Sequence, residues 1–222
     1  AASPQSICSG ANTSVAITNP NGVAGTSFSW IVFSSSNVSG AAAGSGTTIS
    51  QALTSTDGIT SGTVTYRITP TANGCSGNFL DVVVTVNPAP VVTNTSPSLI
   101  QEICSATALN FLPTSSIGGT TFNWTSSVIG TLSGVTASGS GAITDTPVNS
   151  TNTSAVIIYN ITPLVGGCAG ASVNFVVTVR PVPTASALPQ SICSGQATGV
   201  SITNPNSVSG TTYTWTAAGT NV

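Results

Sequence analysis

Residues 64–70 read VTYRITP, and this segment gives the clearest indication of the fold. Along it Val64, Tyr66 and Ile68 alternate with threonines and Arg67. A period of two is the pattern of an antiparallel strand that is buried on one face and solvated on the other. Tyr-x-Ile-Thr-Pro occurs again at residues 159–163. The recurrence suggests that the same strand is built twice.

Other landmarks recur around this strand in the same order. SICSG, EICSA and SICSG surround the cysteines at 8, 104 and 193, which are 96 and 89 residues apart. Aromatic-x-Trp pairs, Gly-Cys pairs and Val-Thr-Val-x-Pro segments follow at matching distances. A period near 90 residues suits a whole small domain repeated in tandem. We therefore predict repeat 1 at residues 1–88, repeat 2 at 89–181 and a partial third unit at 182–222 with only its first three strands.

Each full repeat carries further alternating segments, separated by turn signals such as Asn19-Pro20-Asn21-Gly22 and Asp57-Gly58, where Asp57 is expected to shape the turn. No window has sustained helical periodicity, and Val, Ile and Thr are residues typical of strands. About seven short strands with a turn every ten residues or so predict an all-β fold of tandem immunoglobulin-like antiparallel β-sandwiches. Pro-x-Pro segments at 88–90 and 181–183 mark the linkers.

The composition excludes most chemistry. Only six of 222 residues are charged, and there is no histidine or lysine. The chain therefore lacks the parts of a Ser-His-Asp triad, a Ser-Lys dyad or a Schiff base. Two arginines cannot neutralise a row of phosphates, and no apolar stretch is long enough to span a bilayer. We expect no catalytic residue, cofactor, metal site, nucleic-acid partner or membrane insertion.

The five cysteines make sense within the repeats. Each full repeat has two, Cys8 and Cys75 in repeat 1 and Cys104 and Cys168 in repeat 2, and Cys193 is left over. Paired spacing that recurs favours disulfides and an oxidising, extracytoplasmic setting. The preferred prediction is Cys8–Cys75 and Cys104–Cys168, with a partner for Cys193 outside the chain. Two alternatives stay open: a bond from the first cysteine of one repeat to the second cysteine of the next, or reduced thiols.

Tryptophan occurs at equivalent positions in the three units, Trp30, Trp124 and Trp215. The three side chains could form a platform on which sugars stack. Their place in the apolar alternation makes packing in the core the favoured interpretation.

The ordered series I-C-S-G, aromatic-x-Trp, Tyr-x-Ile-Thr-Pro, Gly-Cys and Val-Thr-Val-x-Pro resembles the PKD-like, immunoglobulin-like repeats of large Bacteroidota cell-surface proteins. These include giant adhesins and gliding-motility proteins exported by the type IX system. The resemblance covers essentially the whole chain. It implies a β-sandwich fold, an extracellular location and an adhesive or spacer role, and it provides no catalytic residues.

The resulting hypothesis is a non-enzymatic segment of a long extracellular bacterial repeat protein, acting as a stalk, adhesin array or surface fibre. Its partners would be neighbouring repeats or copies of itself, because a surface with so little charge opposes self-association weakly. Surface glycans are a further possible partner. The alternative is an accessory carbohydrate-binding module of a secreted hydrolase.

Overall fold

The computed structural model describes residues 1–219, so the last three residues of the predicted third unit, 220–222, lie outside the description. The regular elements of the described residues are strands. These residues contain no helix that is long and apolar enough to cross a membrane. In chain order the strands are β1 Gln5–Cys8, β2 Val15–Ala16, β3 Ser27–Ser36, β4 Val38–Ser39, β5 Gly44–Ser45, β6 Thr48–Ile49, β7 Thr54–Ser55, β8 Gly62–Ala72, β9 Cys75–Ser76, β10 Leu80–Asn87, β11 Ile100–Cys104, β12 Thr121–Ile129, β13 Ser138–Ser140, β14 Ala155–Val165, β15 Cys168–Ala169, β16 Val173–Arg180, β17 Ser186–Ala187 and β18 Ile202–Thr203. The all-β prediction is confirmed.

Repeat 1 is built on a six-stranded sheet in the order β1-β10-β8-β3-β5, with β9 paired to the end of β8. β1 runs parallel to β10, and the β10–β8, β8–β3, β3–β5 and β8–β9 pairs are antiparallel. Two short antiparallel pairs, β2–β6 and β4–β7, form the remaining strands of this repeat. The register between β3 and β8 shifts between Val32 and Ser34, which leaves Phe33 as the extra residue of a bulge.

The alternation in VTYRITP places its apolar residues in the core of repeat 1. Val64, Tyr66 and Ile68 are buried, together with Val82, Val84 and Val86 of the neighbouring strand β10. The short pairs contribute side chains to the same cluster, notably Val15 and Ile49. Apolar residues from two layers of strands thus meet in one interior, as in a sandwich.

Repeat 2 reproduces the sheet in the order β11-β16-β14-β12-β13, with β15 paired to the end of β14. β11 again runs parallel to the last long strand, with Cys104 opposite Arg180. Its core contains more aromatic rings: Phe111 stacks on Phe175 with ring centroids 4.0 Å apart, and Trp124 meets Tyr159 edge-on at 5.5 Å. The same backbone pattern is therefore filled with different side chains.

The predicted third unit differs from the expectation of three strands. Its regular structure in the described residues is one two-residue antiparallel pair, β17 with β18. The segments around Cys193 and Tyr213-x-Trp215 are not strands, and Trp215 is 76% exposed. The equivalent strand of repeat 1, β3, pairs with β8 and β5, and residues 182–219 provide no counterpart to either. Without partner strands the period-two pattern does not become a sheet.

The contacts divide the chain into two compact units. The first comprises Ala1–Thr93, Pro113–Asn123 and Thr162–Val173, and the second comprises Asn94–Leu112, Trp124–Ile161 and Asn174–Val222. The first unit thus contains repeat 1 together with residues 89–93, 113–123 and 162–173 of the predicted repeat 2. The predicted boundaries at 88/89 and 181/182 remain a proposal based on the sequence repeat.

Candidate functional site

The covalent feature of the first compact unit is a disulfide bond between Cys8 and Cys168, whose Cα atoms are 5.5 Å apart. Cys8 ends β1, and Cys168 begins β15. Cys168 is only 1% exposed. The bond closes a loop with a sequence separation of 160 residues. It joins the first cysteine of repeat 1 to the second cysteine of repeat 2, which is one of the two alternatives that the sequence left open.

The preferred prediction of Cys8–Cys75 is therefore wrong, and the strand directions explain why. Cys8 lies opposite Asn87, at the end of β10, because β1 and β10 are parallel. Cys75 pairs with Ala72 at the far end of β8, ten residues along that strand from Gly62, which lies beside the end of β10. At the usual rise of a strand this separates the two cysteines by roughly 30 Å. A disulfide requires Cα atoms within about 7 Å.

The predicted Cys104–Cys168 bond fails for the same reason. Cys104 lies opposite Arg180 at the end of β16, whereas Cys168 precedes the start of that strand. Cys75, Cys104 and Cys193 are free and exposed in the described residues. Parallel strands bring like ends together, so the last residue of β1 or β11 cannot reach the beginning of the final long strand.

The tryptophans of the two full repeats pack in the core, as the favoured interpretation expected. Trp30 is 7% exposed and Trp124 is 6% exposed. Each indole lies directly against a glycine of the neighbouring strand: a Cβ added at Gly44 would lie 2.6 Å from Trp30, and one at Gly139 would lie 2.4 Å from Trp124. Neither ring can therefore form a sugar platform in this fold.

The sheet of repeat 1 carries a surface cluster that the sequence pattern did not predict. We call it the arginine–phenylalanine patch; it consists of Phe33, Arg67, Phe79 and Asp81. The Arg67 guanidinium carbon lies 3.6 Å from the ring centroid of Phe33 and 4.0 Å from that of Phe79. The two rings are 52% and 58% exposed. Stacking of this kind is a favourable cation–π arrangement, and it keeps both rings at the surface.

Asp81 completes the patch with a two-point ion pair. Arg67 donates from Nε to Asp81 Oδ1 and from Nη2 to Oδ2, each at 2.8 Å. These hydrogen bonds hold the pKa of Asp81 below its usual value and raise the pKa of Arg67. Arg67 and Asp81 are direct cross-strand partners, so they face the same side of the sheet. The charge of Arg67 is thus paired with Asp81 inside the patch, and the exposed surface of the patch is formed by the two phenylalanine rings.

The sequence pattern predicts only one feature of this patch, the direction of Arg67. Alternation predicts that Arg67 faces away from the core, which the structure confirms. The bulge that turns Phe33 toward the arginine and the loop position of Phe79 follow from strand register, which one sequence does not specify. Repeat 2 has no such patch, because the equivalent positions 160 and 174 are asparagines that hydrogen-bond each other at 2.9 Å.

The remaining charged groups stabilise local structure. Asp57 shapes a turn, as predicted: its carboxylate accepts hydrogen bonds from the Thr60 hydroxyl and from the backbone N–H groups of Ile59 and Thr60. Those bonds, that of the Thr60 hydroxyl first, lower the pKa of Asp57. Glu102 pairs with Arg180 at the exposed end of β11, and this hydrogen bond lowers the pKa of Glu102.

Asp145 accepts a hydrogen bond from the Tyr159 hydroxyl at 2.7 Å, and also binds the backbone N–H and hydroxyl of Thr136. Burial raises the pKa of Tyr159, and the bond to Asp145 raises it further. The carboxylates at 57, 81, 102 and 145 therefore each have a structural partner. The described residues contain no group of three or more histidine, cysteine or acidic side chains that could hold a metal ion.

Comparison with known proteins places both repeats in one family. The model of the PKD-like domain matches residues 5–90 and again residues 101–183. No curated protein matches the chain.

Solved structures of low identity are similar to the chain. One is BT4661, a SusE-like surface-located polysaccharide-binding protein from Bacteroides thetaiotaomicron, with 10% identity, coverage of 81% of this chain and 33% of that one, and a TM-score of 0.32. The I67–I69 fragment of the titin I-band has 11% identity, coverage of 81% and 63%, and a TM-score of 0.40. Fibronectin(III)-like modules of Clostridium thermocellum CbhA have 13% identity, coverage of 81% and 90%, and a TM-score of 0.33. The chain thus spans a third of the first of these proteins and less than two thirds of the second.

Proposed function

Since the chain belongs to the PKD-like domain family, we propose that it is a non-enzymatic structural and adhesive segment of a long extracellular bacterial repeat protein. In such a protein it would serve as a stalk, an adhesin array or part of a surface fibre. The order of its motifs supports a Bacteroidota cell-surface protein of the type IX secreted kind as the parent. Domains of this immunoglobulin-like class are typically non-catalytic, and the charged side chains of this chain are engaged in structural contacts.

The observation that carries the proposal is the disulfide between Cys8 and Cys168. A bond between consecutive repeats is of little use to a catalytic site, but it limits how far the chain can be extended by a load applied at its ends. Disulfides persist in oxidising surroundings outside the cytoplasm. The bond therefore favours an extracellular protein whose repeats act together.

Force spectroscopy tests the mechanical part of the proposal. When the oxidised chain is pulled by its ends, the 160-residue loop between Cys8 and Cys168 should stay closed. Reduction should release that loop and add roughly 550 Å to the extended length, at about 3.3–3.6 Å per residue. Equal extension before and after reduction would show that no bond protects this segment.

Surface labelling tests the location. Antibodies raised against the 222-residue chain should bind intact cells of the source organism, and protease added outside the cells should remove the signal. Labelling that requires permeabilised cells would contradict an extracellular role.

A second candidate function, carbohydrate binding, is favoured by one specific observation, the exposed rings of Phe33 and Phe79. Aromatic faces at a protein surface are suited to contact with apolar faces of sugars. A glycan array probed with the chain should then give binding that Phe33→Ala and Phe79→Ala remove. Ile129→Ala is the matched control, since Ile129 is 62% exposed in repeat 2 and lies outside the patch. Binding that survives both phenylalanine variants would exclude the patch as the sugar site.

A further inference from the structure

Cys75 occupies in repeat 1 the position that Cys168 occupies in repeat 2. Cys75 begins β9, which pairs with the end of β8, just as Cys168 begins β15, which pairs with the end of β14. The glycine two residues later donates its N–H to a proline carbonyl in both repeats, Gly77 to Pro70 and Gly170 to Pro163, each at 2.9 Å. The backbone that presents the thiol is therefore the same in the two repeats.

Cys104 is in the same way the counterpart of Cys8. The next residue donates its N–H to the end of the last long strand in both cases, Ser9 to Asn87 at 2.7 Å and Ser105 to Arg180 at 2.8 Å. The N–H three residues after each cysteine returns to the cysteine's own carbonyl, at 3.0 and 3.2 Å. Cys193 has only the second of these contacts, from Gln196, and lies on no strand. Of the two remaining first cysteines, only Cys104 is presented as Cys8 is.

Cys75 and Cys168 differ in how far neighbouring residues shield them from solvent. Cys168 is 1% exposed, and a Cβ placed on Gly170 would meet the Pro90 carbonyl oxygen at 1.6 Å, so the 88–90 linker lies directly against this end of β15. At Gly77 the corresponding neighbours belong to Pro70 alone, and Cys75 is exposed. Repeat 1 therefore has the same backbone around Cys75, but no linker residue lies against Gly77 as Pro90 lies against Gly170.

Neighbouring positions follow the same trend. Phe28 is half-buried whereas its counterpart Phe122 is buried, and Leu80 is exposed whereas its counterpart Val173 is half-buried. These residues of repeat 1 line a cleft of about 720 Å³ whose wall includes Cys75. We call it the Cys75 cleft; its further lining includes Val23, Ile68 and Pro70.

We propose that the Cys75 cleft is the docking site for the cysteine-bearing end of another PKD-like repeat, and that Cys75 forms a disulfide with the first cysteine of that repeat. For two copies of this chain, the bond joins Cys75 of one copy to Cys104 of the other. The inference rests on the proposed function and deepens it, because the Cys8–Cys168 bond becomes one instance of a link that can recur. The two ends are different surfaces, so such links join copies head to tail and leave a free end of each kind on every open chain of copies.

The bond forms by thiol–disulfide exchange with a small disulfide such as oxidised glutathione. The Cys75 thiolate attacks one glutathione sulfur, which forms a mixed disulfide and releases one glutathione thiolate. The Cys104 thiolate of the second copy then attacks the Cys75 sulfur, forms the inter-chain bond and releases the second glutathione thiolate. The oxidant gains two electrons, and the two protons from the cysteine thiols leave with the reduced glutathione.

The test is oxidation of the full 222-residue chain by a glutathione mixture, followed by non-reducing electrophoresis and peptide mapping. We expect a ladder of oligomers that collapses on reduction, with peptides that contain Cys75 joined to Cys104. Cys75→Ser or Cys104→Ser should reduce the ladder at least tenfold, and Cys193→Ser should leave it. A chain that stays monomeric, or a ladder that depends on Cys193 instead of Cys104, would overturn the proposal.

A second pair of variants separates docking from unguided oxidation of exposed thiols. Val23→Asp places a charge on the rim of the cleft, where Val23 is 42% exposed, and should slow ladder formation at least tenfold. Ile129→Asp places the same charge outside the cleft and should not. Equal rates for the two variants would refute docking.

The same peptide maps keep this inference distinct from the proposed function. Peptides with Cys8 joined to Cys168, found in a chain that forms no ladder, would leave the structural role intact and refute only the Cys75 cleft. Absence of the Cys8–Cys168 peptides would remove the observation on which the proposed function rests.

Discussion

Repeat 1 and repeat 2 have the same sheet and different side chains on both of its faces. In the interior, repeat 1 uses Val15 and Val82 where repeat 2 stacks Phe111 on Phe175. On the outer face, the arginine–phenylalanine patch of repeat 1 is replaced by a neutral asparagine pair. Strand order, the parallel first strand and the hydrogen bonds around each cysteine stay the same. Backbone pairing therefore defines this domain, whereas the side chains of the core and of the surface differ between the two repeats.

The largest difference between matched positions should be that between Cys168 and Cys75. Cys168→Ser removes the closure of a 160-residue loop, which the chain-entropy relation values at about 5 kcal/mol. Cys75→Ser changes a free, exposed side chain and should alter the free energy of unfolding by less than about 0.5 kcal/mol. Urea denaturation of the two oxidised variants measures both values. Equal losses would mean that Cys75 is not the uncovered counterpart of Cys168.

The next largest difference should lie in the cores. Phe175→Ala removes a fully buried ring from the stack with Phe111 and should cost about 3–5 kcal/mol. Val82→Ala, at the equivalent position of repeat 1, removes two methyl groups and should cost about 2 kcal/mol. Thermal or urea unfolding, monitored separately through Trp30 and Trp124 in single-tryptophan variants, assigns each loss to its repeat. A larger loss of stability for Val82→Ala than for Phe175→Ala would contradict the assumption that the two side chains are equally well packed.

The tryptophan–glycine contacts should respond alike in the two repeats. A methyl group on Gly44 or Gly139 would overlap the indole beside it, so either alanine variant should cost about 1–3 kcal/mol. Gly118→Ala is the control, since nothing lies within 4 Å of its added carbon. A neutral effect at one of the two sites would reveal an indole that can move there. The change in stability is measured from the urea midpoint of unfolding, provided that the dependence of the unfolding free energy on urea concentration is the same for each variant.

The smallest effect concerns high pH. The pKa of Tyr159 is raised in the fold, first by burial and then by the hydrogen bond to Asp145, and the pKa of Tyr66 is raised by burial. A tyrosine whose pKa is raised in the fold keeps its proton when the unfolded chain loses it, so its contribution to stability is intact below about pH 10 and declines above that pH.

For Tyr159 the decline should be about 1.4 kcal/mol per pH unit above pH 10. Tyr159→Phe should remove that slope, and Tyr66→Phe should remove less, because the Tyr66 hydroxyl donates to the neutral amide of Gln51. Unfolding free energies measured between pH 9 and 11 test the difference. A greater change of slope in the Tyr66 variant would refute the role assigned to Asp145.

Features that depend only on neighbours along the chain could be predicted from the amino-acid sequence. Alternation in 64–70 and 159–163 identified the central strands and their buried faces, since side chains of a strand alternate whatever the sheet around it. The recurring motifs identified two copies of one domain, and the tryptophan positions identified core residues in those two copies, Trp30 and Trp124, but not at Trp215. The role of Asp57 in a turn followed from the Asp-Gly pair that begins there.

Contacts between residues that are distant in sequence could not be predicted in this way, because they depend on the folded sheet. The disulfide depends on which end of β1 lies beside which end of β10: the parallel pairing places Cys8 opposite Asn87 and away from Cys75, and Cys8 bonds to Cys168 instead. The arginine–phenylalanine patch depends on the β8–β10 register and on a bulge at Phe33. The segment around Trp215 has the pattern of a strand but forms none, because a strand is stable only with partners. The register, the direction and the partners of a strand are set by the whole sheet, so they cannot be predicted from a local sequence pattern.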